Sequence, residues 1–238
     1  MKYTILKYGM LAGALLFGGC SNWLDVDPKS QVKQEALFES EAGFQDALTG
    51  IYTMMARTGM YGGHETMGFL DMVAQTYTEV IYTYEDVLKY NYEETNSKAC
   101  IDGFWEGNYS AIANCNQILA HVDERKGVFS SGVYEAVKAE ALALRAFLHF
   151  DLLRGFAFSY VTGKDELAIP YVDKVTNKPV AQSTVAEVLE RIITEAEEAR
   201  KLIREVDPLG PAYDTYTESG YKSEDFIQGG GFWLYRKS

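Results

Sequence analysis

The chain has 238 residues, 47% of them hydrophobic, which is enough apolar material for one substantial buried core. Its 34 acidic residues outnumber 22 basic ones, leaving a formal net charge of −12. That balance disfavours nucleic acid and anionic lipid surfaces as partners, since both are bound through clustered Lys and Arg.

At the start, Lys2 and Lys7 precede a mostly apolar tract from Met10 to Phe17, and Gly18-Gly19 places small residues before Cys20. A helix that crosses a bilayer needs about 20 apolar residues, more than this tract supplies before Asn22 and Asp25. Residues 1–19 therefore read as a signal peptide. A cysteine after small residues resembles the lipobox of bacterial lipoproteins, although Phe17 stands where that family prefers leucine. The resemblance implies cleavage before Cys20 and a diacylglycerol on its thiol, making Cys20 the lipid attachment point. Loss of residues 1–19 removes two lysines and takes the charge to −14, so attachment to a membrane must come from the lipid. Cys100 and Cys115 then remain in an exported setting, where pairing between them is left open.

Four amphipathic helices follow. Phe44, Ala47, Leu48, Ile51, Tyr52 and Met55 form a 3.6-residue stripe, with Ser40 as N-cap and Gly59 past its end. The segment Tyr77 to Tyr92 reads as a long loop holding five of the chain's 17 tyrosines (Tyr77, Tyr82, Tyr84, Tyr90 and Tyr92), with Asp71, Glu79, Glu85 and Asp86 nearby. A tyrosine offers an apolar ring face and a hydroxyl, which match the face and rim of a sugar, so Tyr82, Tyr84 and Asp71 are the candidate ligand contacts. Packing of such a loop against the helices competes with that reading. A second helix spans Phe104 to Asp123, with Trp105, Tyr109, Ile112, Asn116 and Leu119 on one stripe and Gly107 in its first turn. The third runs from Tyr134 to about Arg154, rich in strong helix formers, and its alanines at 136, 139, 141, 143 and 146 would let a neighbouring helix approach closely. "LAIPYV" (Leu167 to Val172) is a short strand signal broken by Pro170. In the fourth helix Thr184 and Glu187 form a capping-box pattern ahead of Val185, Val188, Ile192, Ala196, Ala199 and Ile203, and Pro208 stops it.

No catalytic constellation emerges. His64-Glu65 lacks the second histidine of an H-E-x-x-H zinc site, and His121 and His149 sit far apart within helices. Glu93-Glu94 and Glu197-Glu198 read as solvated pairs, and Gly229 to Gly231 follows no strand that would make it a phosphate loop. The expectation is a binding protein, not an enzyme, with no cofactor and no metal.

The order of motifs is more specific than any one of them. Cys20, Leu24, Asp25 and Pro28 are followed by Trp105, Tyr109, Ile112 and Asn116, then "EALALRAFLHF", "IPYV" and "STVAEVLERIITEAEEARKL". This succession, over residues 20 to about 205, resembles the SusD/RagB family of bacterial outer-membrane lipoproteins. The resemblance implies an all-α, tetratricopeptide-like helical superhelix, a surface-facing glycan or nutrient ligand, and a TonB-dependent (SusC-like) transporter as partner in uptake. The chain departs from the family after residue 205. Family members are usually much longer, whereas residues 206–238 carry three consecutive glycines and close on Phe232, Trp233, Leu234 and Tyr235. That tail reads as a truncation or frameshift product, with a partner-binding tail as the alternative. Superhelical repeats also serve protein assembly, so a lipid-anchored helical-repeat protein that binds other proteins is the second reading of function.

Overall fold

The computed structural model describes residues 36–77 and 82–206. Expectations for the leader, for Cys20 and for the tail lie outside these residues.

The first helix, α1 (Glu41–Met55), starts where expected. Ser40 is extended, and its hydroxyl accepts a hydrogen bond from Gly43 N at 3.2 Å. Residue 43 must be glycine, because a Cβ there would lie 1.6 Å from the Leu37 carbonyl oxygen. Phe44, Leu48, Ile51 and Met55 are buried, as the stripe predicts. A short α2 (Phe69–Val73) follows, then a 3-10 turn (Tyr82–Tyr84) and a one-turn α3 (Glu85–Leu88).

The next long helix, α4 (Thr95–Val122), corrects the sequence reading, which began it at Phe104. Its first turns are polar and carry no continuous apolar stripe. They are held by the burial of Cys100 and Phe104 against Phe69, Met72 and Val87, and Ser97 is buried as well. Gly107 consequently lies in mid-helix and not in the first turn. Met60 packs over it, with Cγ 3.0 Å from where a Cβ would stand, so the glycine makes room for a side chain from the preceding loop. Cys100 and Cys115 both belong to α4 and are buried free thiols. Fifteen residues at about 1.5 Å each put them roughly 22 Å apart along the helix, which rules out a disulfide between them.

The helix α5 (Val133–Phe156) begins after Gly132, whose φ of +81° suits glycine. It is the central element, packed on α4 along one side and on the last helix along the other. A four-residue α6 (Tyr160–Gly163) leads to β1 (Leu167–Pro170), which pairs antiparallel with β2 (Gln182–Thr184), Leu167 opposite Thr184. Pro170 closes the strand, where its missing N–H costs no ladder bond. The last helix, α7 (Val185–Val206), starts on the expected reciprocal cap. Thr184 N donates to Glu187 Oε2 at 2.8 Å, and Glu187 N donates to Thr184 Oγ1 at 3.3 Å.

Consecutive long helices α1, α4, α5 and α7 thus lie side by side around a core that includes Phe44, Ile51, Ile112, Ile118, Leu148 and Val188. Contacts of Arg145 with Glu195, and of Ala139 and Leu142 with Ala199, make α5 and α7 antiparallel. Four of the five alanines of α5 are buried as expected. Ala143 is exposed, as is Ala196 of the α7 stripe, because both lie on a face that no described element covers.

Candidate functional site

The described part of the tyrosine-rich segment, from Tyr82 to Tyr92, is not a plain loop: it holds the 3-10 turn and the one-turn α3. Gln75 and Tyr90 both adopt positive φ, and their side chains tie the two short helices together. Gln75 Nε2 donates to the Leu88 carbonyl at 2.9 Å, and Tyr90 Oη donates to the Val73 carbonyl at 3.2 Å. On this platform the three candidate contacts fare differently. Tyr82 is 79% exposed, so its ring is available to a ligand. Tyr84 is half-buried, packs edge-on to His64 at 6.0 Å and joins the small apolar cluster around Phe69 and Val87, which makes it partly scaffold. Asp71 sits half-buried in α2, and its carboxylate has no partner among the described residues.

Beside this platform runs a groove of about 690 Å³ between α2, α4 and the end of α5. Tyr92 and Phe158 flank it, Phe69, Phe104 and Phe156 contribute aromatic surface, and Arg154 supplies charge. Phe158 is 64% exposed. Arg154 donates from Nε to Asp151 Oδ1 at 2.6 Å, which leaves its two terminal NH2 groups without partners among the described residues. Neither Tyr82, Tyr84 nor Asp71 lines this groove; of the five tyrosines, Tyr92 does. Phe158 and Arg154 were missed by the sequence reading. The signal available was the alternation in "RGFAFSY" just past the end of α5, where Phe156 turns inward and Phe158 outward.

Behind the groove lies a buried polar cluster. Tyr61 Oη donates to Asp151 Oδ2 at 2.6 Å, and Asn108 Nδ2 reaches both Glu65 oxygens at 3.0 Å. Glu65 is 4% exposed. Burial pushes its carboxyl up to about 7 against the opposing hydrogen bond from Asn108, and the nearby Asp151 charge adds to the rise. A similar carboxyl, Glu140, accepts from Tyr52 Oη and is likewise raised by burial to about 7. Glu65 therefore serves the fold. No group of three His, Cys, Asp or Glu residues among those described could hold a metal ion.

The recognised motifs converge on a second, structural node. Arg145 is buried and forks onto Glu195, with Nη2 to Oε1 at 2.6 Å and Nε to Oε2 at 3.0 Å, while Nη1 donates to Asn116 Oδ1 at 2.6 Å and to the Asp173 carbonyl at 2.8 Å. Asn116 Nδ2 donates to the Val172 carbonyl at 2.9 Å, and Tyr109 Oη to the Pro170 carbonyl at 2.8 Å. His149 Nε2 accepts from Val172 N at 3.0 Å, so Nδ1 carries the proton that it gives to the Arg145 carbonyl. Tyr171 stacks on that imidazole with centroids 4.0 Å apart, and burial takes His149 down to about 4. The "LRA", "IPYV" and Asn116 motifs are thus the fastening of a strand to three helices. They do not form a ligand site.

These features define a class: an all-α stack of consecutive helices of the tetratricopeptide-like superhelical kind, with a small two-stranded clip. Residues 22–208 match the SusD-like family, described as starch-binding and associating with the outer membrane, and the chain belongs to that family. SusD-like protein P2 of Formosa agariphila is 23% identical over 97% of this chain and 44% of its own length. SusD-like protein P25 of the same organism is 24% identical over 56% of this chain and 27% of its own. Among solved structures, a SusD superfamily protein from Bacteroides thetaiotaomicron superposes with a TM-score of 0.58 at 21% identity, covering 68% of this chain and 37% of that one. A SusD-like carbohydrate binding protein from Bacteroides vulgatus gives 0.55 at 21%, over 68% and 36%. The chain spans less than half the length of the curated relatives it matches.

Proposed function

We propose that this chain supplies the helical part of a lipid-anchored glycan-binding protein of the outer membrane that works with a TonB-dependent transporter in nutrient uptake. The observation that carries the reading is the aromatic groove beside the tyrosine platform, in a chain of a family described as starch-binding. Tyr92 and Phe158 offer ring faces for the apolar faces of sugar residues, and the terminal guanidinium N–H groups of Arg154, which have no partner among the described residues, can donate to hydroxyls. Exposed Tyr82, and Asp71 of α2, whose carboxylate has no partner among the described residues, offer further surface. The anchor rests on Gly18-Gly19-Cys20, and the transporter on the family resemblance.

Titration of the full chain with a starch oligosaccharide such as maltoheptaose, followed by calorimetry, tests the reading. The parent should bind, Tyr92→Ala and Phe158→Ala should each weaken binding by about 1 to 3 kcal/mol, and melting should move little because both rings are exposed on one side. Equal binding by both variants would move the ligand elsewhere.

A further inference from the structure

The polar cluster behind the groove holds two buried carboxyls, Glu65 and Asp151, and a single cation, Arg154, reaches it from the groove side. Hydrogen bonds divide the partners between them: Glu65 takes the Asn108 amide, and Asp151 takes the guanidinium. Asp151 and Arg154 stand three residues apart near the end of α5 and so share one helical face. The Asp151 side chain is 4% exposed and that of Arg154 is 44% exposed, so the pair runs from the interior to the surface.

Both arginines of α5 meet a carboxylate, but they do so differently. Arg145 forks onto Glu195 through Nε and Nη2 and takes both carboxylate oxygens, the pairing that a planar guanidinium favours. Arg154 meets Asp151 through Nε alone, at 2.6 Å from Oδ1. The other oxygen is already taken, because Tyr61 Oη donates to Asp151 Oδ2 at 2.6 Å. Asn108 Oδ1 lies farther from that hydroxyl, at 3.3 Å, so its one proton belongs to the carboxylate. The Tyr61 ring packs against Phe147 with centroids 5.3 Å apart, which holds the hydroxyl in place. Both terminal amino groups of Arg154 are therefore left without partners among the described residues, on a side chain that lines the groove. Neither Tyr61 nor Asp151 lines it.

We propose that Tyr61 is a positioning residue for the glycan site: by occupying Asp151 Oδ2 it blocks a bidentate ion pair and keeps both terminal amino groups of Arg154 free to donate to sugar hydroxyls. The inference rests on the reading of the groove as the ligand site. Without the tyrosine hydroxyl, the released carboxylate oxygen takes Nη2 into a fork like that of Arg145, and the groove loses a donor.

Calorimetric titration of the full chain with maltoheptaose tests this as a double-mutant cycle. Tyr61→Phe keeps the ring and removes the hydroxyl, and it should weaken binding about two- to tenfold, the net worth of one hydrogen bond. The same factor should appear when Tyr61→Phe is added to Phe158→Ala, because that ring meets the sugar independently of Arg154. Added to Arg154→Gln, which has no guanidinium to place, Tyr61→Phe should change binding by less than about twofold. A tyrosine that serves only the fold would weaken all three backgrounds alike; that result, or full affinity in Tyr61→Phe, overturns the proposal. Should Tyr61→Phe fail to fold, the parent decides through side-chain nitrogen NMR, with the Arg154 signals assigned by their loss in Arg154→Gln. Maltoheptaose should shift the Nη signals of Arg154 and spare Nε, and Nη signals that stay in place overturn the proposal. A parent that binds no maltoheptaose overturns the reading of the groove together with this inference, whereas binding that ignores Arg154 overturns this inference alone.

Discussion

Replacing Glu65 with glutamine should stabilise the protein at high pH and leave it almost unchanged at low pH. The buried carboxyl titrates at about 7 in the fold against 4.5 when free. A raised carboxyl contributes stability that is fully present below about 4.5 and is lost as pH rises through 7. At about 1.4 kcal/mol per unit, 2.5 units amount to roughly 3 kcal/mol. Glu140 adds a similar loss over the same window. His149 acts in the opposite sense: with a folded value of about 4 against 6.5, it gains stability as pH rises from about 4 to 6.5 and cancels most of one carboxyl. From pH 4.5 to 7 these three groups together should cost the parent about 4 kcal/mol. Glu65→Gln preserves an oxygen to accept from Asn108 while removing one titration, so its loss over that window should shrink to about 1 kcal/mol. Urea unfolding at pH 5 and pH 8 measures both slopes. A variant no more stable than the parent at pH 8 would show that the Glu65 cluster is hydrated or that its charge is neutralised, and the reasoning would be wrong.

Ile112 is fully buried at the α4 contact, so Ile112→Ala should cost about 2 to 5 kcal/mol in denaturant unfolding and reduce glycan binding only through unfolding. Arg145→Ala strands Glu195 and Asn116 in a buried site and should cost about 3 to 5 kcal/mol, measured in the same way. Incorporation of an alkynyl fatty acid by the expressed chain should disappear in Cys20→Ala; label that persists in the variant would place the acyl group on another residue.

Elements with a full apolar stripe and a cap were legible in the sequence. Ser40 and the Phe44 to Met55 stripe located α1, and Thr184 with Glu187 marked the start of α7 to the residue. The first nine residues of α4 were not, because Ser97 and Cys100 are buried by tertiary packing and carry no periodic signal of their own. Gly107 was misread for the same reason: its role is set by Met60, distant in sequence. For the site, the ring of Tyr82 is exposed as a ligand contact requires, but Tyr84 packs inward. Arg154 and Phe158 come to the groove only because α5 ends beside α2, a juxtaposition that no local pattern encodes. Glu65 looked like half of a zinc motif, and only the amide of Asn108, 43 residues away, shows it to be a buried structural carboxyl.

The two thiols of α4 bear on how the chain is made. Held on one rod with raised pKa values, Cys100 pushed up by burial and Cys115 up to about 12, they are poor nucleophiles that cannot reach one another. A polypeptide passing through an oxidising compartment often needs an isomerase to sort correct from incorrect bridges. Here these two residues present no such choice once α4 has formed. The helical stack can mature by packing alone, indifferent to the redox poise around it as far as this pair is concerned.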